Sequence, residues 1–224
     1  MAAENQDFFV VLPAYNEEGA IEKTLKDVLK YSKPENVIVV DDGSQDETFK
    51  EARRCNVRVL RHVVNLGKGA ALKTGCDYAI KRHANKIVLM DSDGQHDPSY
   101  IPKFVSLLDK YDVVLGARKR TKDMPHTAKF GNLFFDVFVK LFLGKEIIDT
   151  QGGFRAFRAE KYPLLKWKSS DYTVETEMLV HIVEQNLSYT QIPIKTIYTD
   201  NYKGTTVLDG FKIVFNILKF RLFG

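Results

Sequence analysis

Short apolar runs separated by turn-forming residues recur along the first half of this chain. Phe8-Phe9-Val10-Val11-Leu12, Val37-Ile38-Val39-Val40 and Ile87-Val88-Leu89-Met90 are too short for helices and mostly rich in β-branched types, so they read as buried strands. Residues 57–60 read as a shorter strand between the last two. The first run stops at Pro13 in this reading, and Asn16-Glu17-Glu18 then opens a helical pattern reaching about residue 31. Ser44 and Glu47 stand at capping-box spacing, which predicts a helix over 44–54. Asn65-Leu66-Gly67-Lys68-Gly69 leads into a further helix over 70–82. Strand, turn and helix alternate with short connections, the pattern of an α/β protein whose mostly parallel sheet is flanked by helices.

The second half is less regular. Residues 112–116 read as a fifth strand ending at Ala117-Arg118, 154–157 return to the sheet, 174–184 are helical, and 189–198 are extended around Pro193. Residues 121–127 and 200–206 are polar and read as loops. Lys129, Asn132, Asp136 and Lys140 form a narrow polar stripe at helical spacing against Phe130, Phe134, Phe138 and their apolar neighbours. Residues 207–223 repeat the arrangement, with Asp209, Lys212, Asn216 and Lys219 opposite Phe211, Phe215 and Leu222. Two readings stand for these amphipathic stretches near 126–143 and 207–223: an apolar face turned into the core, or helices lying in a membrane interface.

Composition narrows the classes. With 224 residues and 44% hydrophobic content, the chain 1–224 is long enough to bury a full core as a single domain. A net charge of +4 suits an anionic surface or phosphorylated ligands, and is too mild for nucleic acid, for which no recognition motif appears. Cys55 and Cys76 have no CxxC spacing and fit reduced thiols rather than a disulfide framework. No segment reaches the roughly 18 uninterrupted apolar residues of a spanning helix, and the N-terminus lacks the regions of a signal peptide. The expectation is a peripheral protein at the cytoplasmic face of a membrane.

The candidate chemistry centres on Asp91-Ser92-Asp93-Gly94-Gln95, directly after the strand at 87–90. Gly94 permits a turn there. A hard divalent ion held by only one or two protein carboxylates completes its shell with substrate phosphates and water, which points to a phosphorylated substrate. The plain alternative is an acidic strand-to-loop turn. Two other strand ends carry similar loops, Pro13 to Glu17 and Asp41 to Ser44, and parallel strands bring such ends to one edge. There Asp42 or Asp41 would accept hydrogen bonds from a nucleobase or ribose, Lys68 would meet a phosphate, and Asp91 with Asp93 would hold a cation bridging a diphosphate. Taken singly, Pro13 and Asn16 are helix punctuation, Asp42-Gly43-Ser44 is a capped turn and Lys68 is a solvated lysine. His96, next to Gln95, has two readings, a residue near the site or a solvated loop histidine.

Val11-Leu12-Pro13-Ala14-Tyr15-Asn16-Glu17, Val39-Val40-Asp41-Asp42-Gly43-Ser44, Asn65-Leu66-Gly67-Lys68-Gly69 and Asp91-Ser92-Asp93-Gly94-Gln95, in that order, resemble the family 2 glycosyltransferases of the GT-A (Rossmann-like) fold. Asp149-Thr150-Gln151-Gly152-Gly153-Phe154-Arg155 is similar to the corresponding segment of dolichyl-phosphate and polyprenyl-phosphate sugar synthases. The resemblance implies that Pro13, Ala14, Tyr15, Glu17 and Asp42 contact the nucleotide, that Asp91 and Asp93 meet the diphosphate and a Mg2+ or Mn2+ ion, and that Gln95 also faces the metal. It implies a nucleotide-binding half over 1–118 and an acceptor-binding half over 119–224. Many synthases of this group continue into transmembrane helices; this sequence stops at Gly224, and a membrane-protein partner is one alternative.

The implied reaction is metal-dependent, inverting transfer of a hexose or N-acetylhexosamine from a UDP- or GDP-sugar to dolichyl or polyprenyl phosphate. A lipid monophosphate is already anionic near neutral pH, its second pKa being about 6, so no strong general base is needed. Cationic residues should instead gather the acceptor phosphate, and the sequence offers Arg118, Arg120, Lys129, Arg155 and Lys203, with Arg118 and Arg155 the leading clamps. Asp149 has two readings: at the reaction centre, catalytic or acceptor-positioning, or structural, paired with Arg155 or capping the following turn. Two rival functions stand beside the first. Transfer to a polysaccharide or protein hydroxyl would need a general base. A silent nucleotide-sugar-binding membrane partner would need no chemistry at all.

Overall fold

The computed structural model describes residues 8–118, 149, 152–195 and 197. Four strand-helix units open the chain: β1 (Phe8–Ala14) with α1 (Ile21–Val28), β2 (Val37–Asp41) with α2 (Thr48–Arg54), β3 (Arg58–Arg61) with α3 (Lys68–Lys81), and β4 (Lys86–Leu89) with α4 (Ile101–Leu107). After them come β5 (Val113–Arg118), β6 (Arg155–Arg158), the single turn α5 (Tyr162–Leu165), α6 (Val174–Glu184) and β7 (Tyr189–Ile194). All seven strands form one sheet in the order β3-β2-β1-β4-β6-β5-β7. Strand β6 pairs antiparallel with both β4 and β5, while every other pairing is parallel. The carboxyl ends of β1 to β5 and the amino end of β6 therefore lie on the same edge. Because β6 sits between β4 and β5, residues 8–118 and 152–195 share this sheet.

The apolar runs are near-continuous because both faces are covered, as in buried parallel sheets. Alternate residues feed two separate cores. Val11, Ile38, Val40, Ile87 and Leu89 pack with Leu72 and Cys76 of α3, Met178 and Ile182 of α6, and Trp167. Val10, Leu12, Val37, Val39 and Val88 pack on the other face with Ile21 and Leu25 of α1 and Phe104 of α4. Trp167 is 1% exposed and its indole N–H donates to the carbonyl of Gly69 at 2.8 Å, which fixes the start of α3 to the loop before α6. Both cysteines are free thiols, Cys76 buried and Cys55 half-buried.

Several boundaries differ from the sequence reading. Strand β1 does not stop at Pro13: it runs to Ala14, with Pro13 opposite Val40 of β2. Val11 accepts from Met90 N–H on the β4 side, and Pro13, two residues on, faces the same way. By then β4 has turned off, and the Pro13 carbonyl accepts instead from Ser92 Oγ at 2.7 Å, so the missing proline donor forfeits no ladder bond. The helix expected from Asn16 begins at Ile21, because Asn16 takes a left-handed backbone (φ 53°) and the amides of residues 16–19 are bonded to side chains of the loop after β2 and of α2. The capping box does not form: Ser44 Oγ accepts from Asn16 N–H, and α2 starts at Thr48, whose N–H donates to Asp46 Oδ1. Helix α4 was not foreseen; Pro102 stands in its first turn, where a missing N–H costs no hydrogen bond. Pro193 is accommodated because β7 is an edge strand, paired with β5 alone. The expected loops at 121–127 and 200–206 and the amphipathic stretches near 126–143 and 207–223 lie outside the described residues.

Helix α3 lies so close to β1 that a Cβ on Gly75 would collide with Val11 Cγ1 and stand 3.2 Å from Val40 Cγ2. Gly75→Val should therefore lower the unfolding free energy by about 1–3 kcal/mol through overpacking. Urea unfolding at neutral pH measures this, and an unchanged midpoint would contradict the close approach.

Candidate active site at the carboxyl edge of the sheet

The loops after β1 and β2 are laced together by side-chain to backbone bonds. Asn16 N–H donates to Ser44 Oγ (3.0 Å), and Gln45 N–H returns to Asn16 Oδ1 (2.9 Å). Glu17 N–H donates to Thr48 Oγ1 (2.8 Å), Glu18 N–H to Asp46 Oδ2 (3.1 Å), and Glu47 N–H to Glu18 Oε2 (3.0 Å). Pro13 and Ala14 close the strand below, and Tyr15 stands 39% exposed above it.

Asp41 and Asp42, expected to reach a ligand, are instead turned inward, 0% and 2% exposed. Asp41 Oδ1 accepts from Ser44 N–H, and its Oδ2 pairs with Arg61 at 2.9 Å. Asp42 Oδ1 meets His62 Nδ1 (2.7 Å) and accepts from Leu66 N–H (2.9 Å), while Oδ2 accepts from Gly67 N–H (2.7 Å). His62 Nε2 in turn lies 2.9 Å from Thr74 Oγ1. The Asp42 carboxylate thus braces the 65–67 loop that delivers Lys68. His62 and Thr74 carried no sequence signal, because their partner lies 20 residues from His62 in the chain.

Ser92 orients the acidic turn. Its Oγ donates to the Pro13 carbonyl, and its own carbonyl accepts from Thr24 Oγ1 at 3.1 Å, so it is drawn into the protein, 3% exposed. Asp91 and Asp93, two residues apart on either side of it, remain accessible in part. Gly94 takes the left-handed backbone (φ 76°) that turns the chain, and Gln95 N–H closes the turn on Asp93 Oδ1 at 2.9 Å. Asp91 Oδ1 is 2.6 Å from Lys68 Nζ, and Lys68 Nζ is also 2.7 Å from Glu175 Oε1. Gly153 makes room for the pair, since a Cβ there would collide with the Asp91 carboxylate. Burial alone would raise the Asp91 carboxyl, but the charges of Lys68, His96 and Arg118 outweigh it and hold it down to about 2. Lys68 is driven up, its burial outweighed by Asp91 and Glu175. Burial and the Asp91 charge push Asp93 up. His96 is not a solvated loop residue: it is 6% exposed, stacks on Phe154 and accepts Asp91 N–H at Nδ1, with burial pushing its pKa down against the two aspartates.

Among the described residues no three His, Cys, Asp or Glu side chains are arranged to hold a metal ion. Asp91 and Asp93 are nevertheless near enough for one to raise the other, and Asp91 already attracts a cation in the form of Lys68. Two carboxylates facing an open edge fit a Mg2+ or Mn2+ ion that shares its shell with a phosphorylated ligand, not a closed protein cage.

Arg118, at the end of β5, grips Asp149 at two points: Nε donates to Oδ2 at 2.7 Å and Nη2 to Oδ1 at 2.8 Å, with Arg118 N–H also on Oδ2 at 2.9 Å. Asp149 sits in a left-handed backbone (φ 57°), and its side chain is 6% exposed. Asp149 is thus hydrogen-bonded to Arg118, and the Arg155 charge also acts on its carboxylate. Arg155, expected as a phosphate clamp, is 2% exposed and donates to the carbonyls of Gly152 (2.8 Å) and Glu175 (2.5 Å), bracing β6 against α6. Glu177 pins the preceding loop by accepting from the N–H groups of Lys168 and Ser169 and from Ser169 Oγ. Arg120, Lys129 and Lys203 lie outside the described residues.

Residues 9–163 match Glycosyl transferase family 2, and the chain belongs to this family. It is a glycosyltransferase of the GT-A fold, and several of its relatives are named for transfer to lipid phosphates. It is 33% identical over 241 residues to the UDP-N-acetylglucosamine–dolichyl-phosphate N-acetylglucosaminyltransferase of Methanococcus voltae, covering 96% of this chain and 96% of that one. It is 31% identical over 208 residues to the dolichyl-phosphate hexose transferase of Haloferax volcanii, covering 92% and 88%. Its fold is similar to glucosyl-3-phosphoglycerate synthase from Mycobacterium tuberculosis in complex with Mn2+, UDP-glucose and phosphoglyceric acid, with a TM-score of 0.75 and 20% identity over 95% of this chain and 78% of that chain.

Burial pushes the Asp149 carboxyl up, and its contacts with Arg118 outweigh this and hold it below the ordinary carboxylate value. A carboxyl lowered on folding contributes stability above about pH 4 that is lost as pH falls through its folded pKa. Asp149→Asn should therefore cost up to about 3–5 kcal/mol at pH 7, the scale for breaking a buried ion pair from one side. Urea melts should show the gap to wild type narrowing below about pH 4. A gap constant with pH would contradict the ion-pair account.

Proposed function

We propose that this glycosyltransferase moves a hexose or N-acetylhexosamine from a UDP- or GDP-sugar to dolichyl or polyprenyl phosphate, with inversion, at the cytoplasmic face of a membrane. The observation that carries this reading is the meeting, on one sheet edge, of the Asp91–Asp93 turn, Lys68 and the Arg118–Asp149 pair. The lipid-phosphate acceptors named for the Methanococcus and Haloferax relatives support it. Pro13, Ala14, Tyr15 and Glu17 would line the nucleotide, with Asp42 acting from behind by shaping the 65–67 loop. Lys68 would meet the diphosphate. Mg2+ or Mn2+, held by Asp91 and Asp93 with Gln95 beside them, would neutralise charge on the leaving diphosphate as a Lewis acid.

The acceptor oxygen attacks the anomeric carbon as the bond to the diphosphate breaks and its electron pair leaves with the phosphate. A phosphate nucleophile needs alignment more than deprotonation. Arg118, with Arg120, Lys129 and Lys203, is assigned to that alignment, and Asp149 to holding the Arg118 guanidinium flat and in place. A general base works best with a pKa near the operating pH. Asp149 is held in the opposite direction, which speaks against this residue serving a hydroxyl acceptor.

Purified protein should move label from one of a panel of UDP- and GDP-sugars into the organic extract when dolichyl phosphate and Mn2+ are present. Asp93→Ala should lower kcat/KM by on the order of 10³-fold, because the metal's share of transition-state stabilisation is several kcal/mol. Transfer at the wild-type rate by this variant, or label appearing only on a polysaccharide or protein hydroxyl, would overturn the assignment.

A further inference from the structure

Lys68 is one cation shared between two carboxylates. Its ammonium is 2.6 Å from Asp91 Oδ1 and 2.7 Å from Glu175 Oε1, and its side chain is 14% exposed. Glu175, in the first turn of α6, is 4% exposed, and its second oxygen, Oε2, is buried with no hydrogen-bond partner among the described residues. A buried carboxylate oxygen with unused acceptor capacity is costly unless some state of the protein gives it a donor. The backbone around it is fixed: Arg155 Nη1 donates to the Glu175 carbonyl at 2.5 Å, and Ala70 N–H donates to Ser170 O at 3.2 Å beside the start of α3. Added Cβ atoms on Gly67 and Gly69 would collide with the carbonyls of Ser170 and Ser169. The mobile element between these rigid walls is the flexible lysine stem, whose ammonium carries three rotatable donors.

We propose that Lys68 is a built-in counter-ion that occupies the acidic turn when no divalent cation is bound, and that Glu175 is the positioning residue that takes the whole of its ammonium when a divalent cation settles on Asp91. The two cations repel, so binding at Asp91 drives Lys68 off that carboxylate. Glu175, a few ångströms away with an open oxygen, receives it without either charge being stranded in a buried site. The pocket is then neither an unpaired anionic cluster before loading nor a cluster of crowded cations after it. This inference rests on the reading of Asp91 and Asp93 as the cation ligands.

Binding of Mn2+, followed by the electron paramagnetic resonance of the free ion without sugar donor or acceptor, tests it. Lys68→Met should tighten Mn2+ by about tenfold and Glu175→Gln should weaken it by about tenfold, the scale of coupling between contacting residues. In the Lys68→Met background, Glu175→Gln should have little effect, since its action runs through the lysine. Lys68→Gln, which keeps a donor between the carboxylates, should give the same sign if Lys68→Met does not fold. Weaker Mn2+ binding in the Lys68 variants, or an equal Glu175→Gln effect in both backgrounds, would overturn the counter-ion role while leaving the cation site standing. Wild-type protein that binds no Mn2+, alone or with UDP or GDP, would overturn both.

Discussion

A carboxylate that is mostly withdrawn from water at the end of a buried strand has to be matched by positive charge, and the architecture of the edge follows from meeting that demand at Asp91. Lys68 meets it in the structure, and four separate elements are arranged to let it do so. The β4 turn presents the acid, the start of α3 presents the lysine, the amino end of α6 presents the second carboxylate, and Gly153 stands aside. Removing a partner from such a group leaves a charge stranded at a cost of several kcal/mol, whereas exchanging one cation for another does not. The site is therefore built around a cation, which in this structure is the Lys68 ammonium.

Around this centre, many polar side chains that resemble ligand contacts are spent on holding loops. Asp42 fixes residues 65–67, Glu177 fixes 168–169, Arg155 ties β6 to α6, and Asn16 with Ser44 ties the first two strand-end loops to each other. Each such bond contributes about 0.5–1.5 kcal/mol, and more when one partner is charged. Their collective effect is positional. Loops that would otherwise wander are held to the sheet edge, and the groups left facing outward, Tyr15 and Asp93 among them, are presented on a stiff base.

Much of this was legible in the residues before any coordinates. Strands β1, β2 and β4 announced themselves because burial on two faces demands unbroken apolar runs, and the acidic turn after β4 was visible because Gly94 marks a turn. Strand direction was not legible: the residue pattern Arg155-Ala156-Phe157-Arg158 is the same whether β6 runs with or against its neighbours. Nor was the division between facing in and facing out. Asp42 and Arg155 carry functional-looking chemistry, but each bonds a backbone group 20 or more residues away, Gly67 N–H for Asp42 and the Glu175 carbonyl for Arg155, which no local pattern encodes. Glu175 and His96 failed in the other direction. An acid in a helix's first turn and a histidine in a loop have ordinary explanations, and only packing shows them buried beside Asp91.

The central claim is that the turn after β4 is where a divalent cation and a nucleoside diphosphate meet. Anomalous diffraction from crystals grown with Mn2+ and either UDP or GDP tests it most directly. The account predicts a manganese peak between the carboxylates of Asp91 and Asp93, beside the diphosphate, with Lys68 withdrawn from Asp91. A nucleotide bound away from this turn, or manganese found elsewhere while Lys68 still grips Asp91, would contradict it.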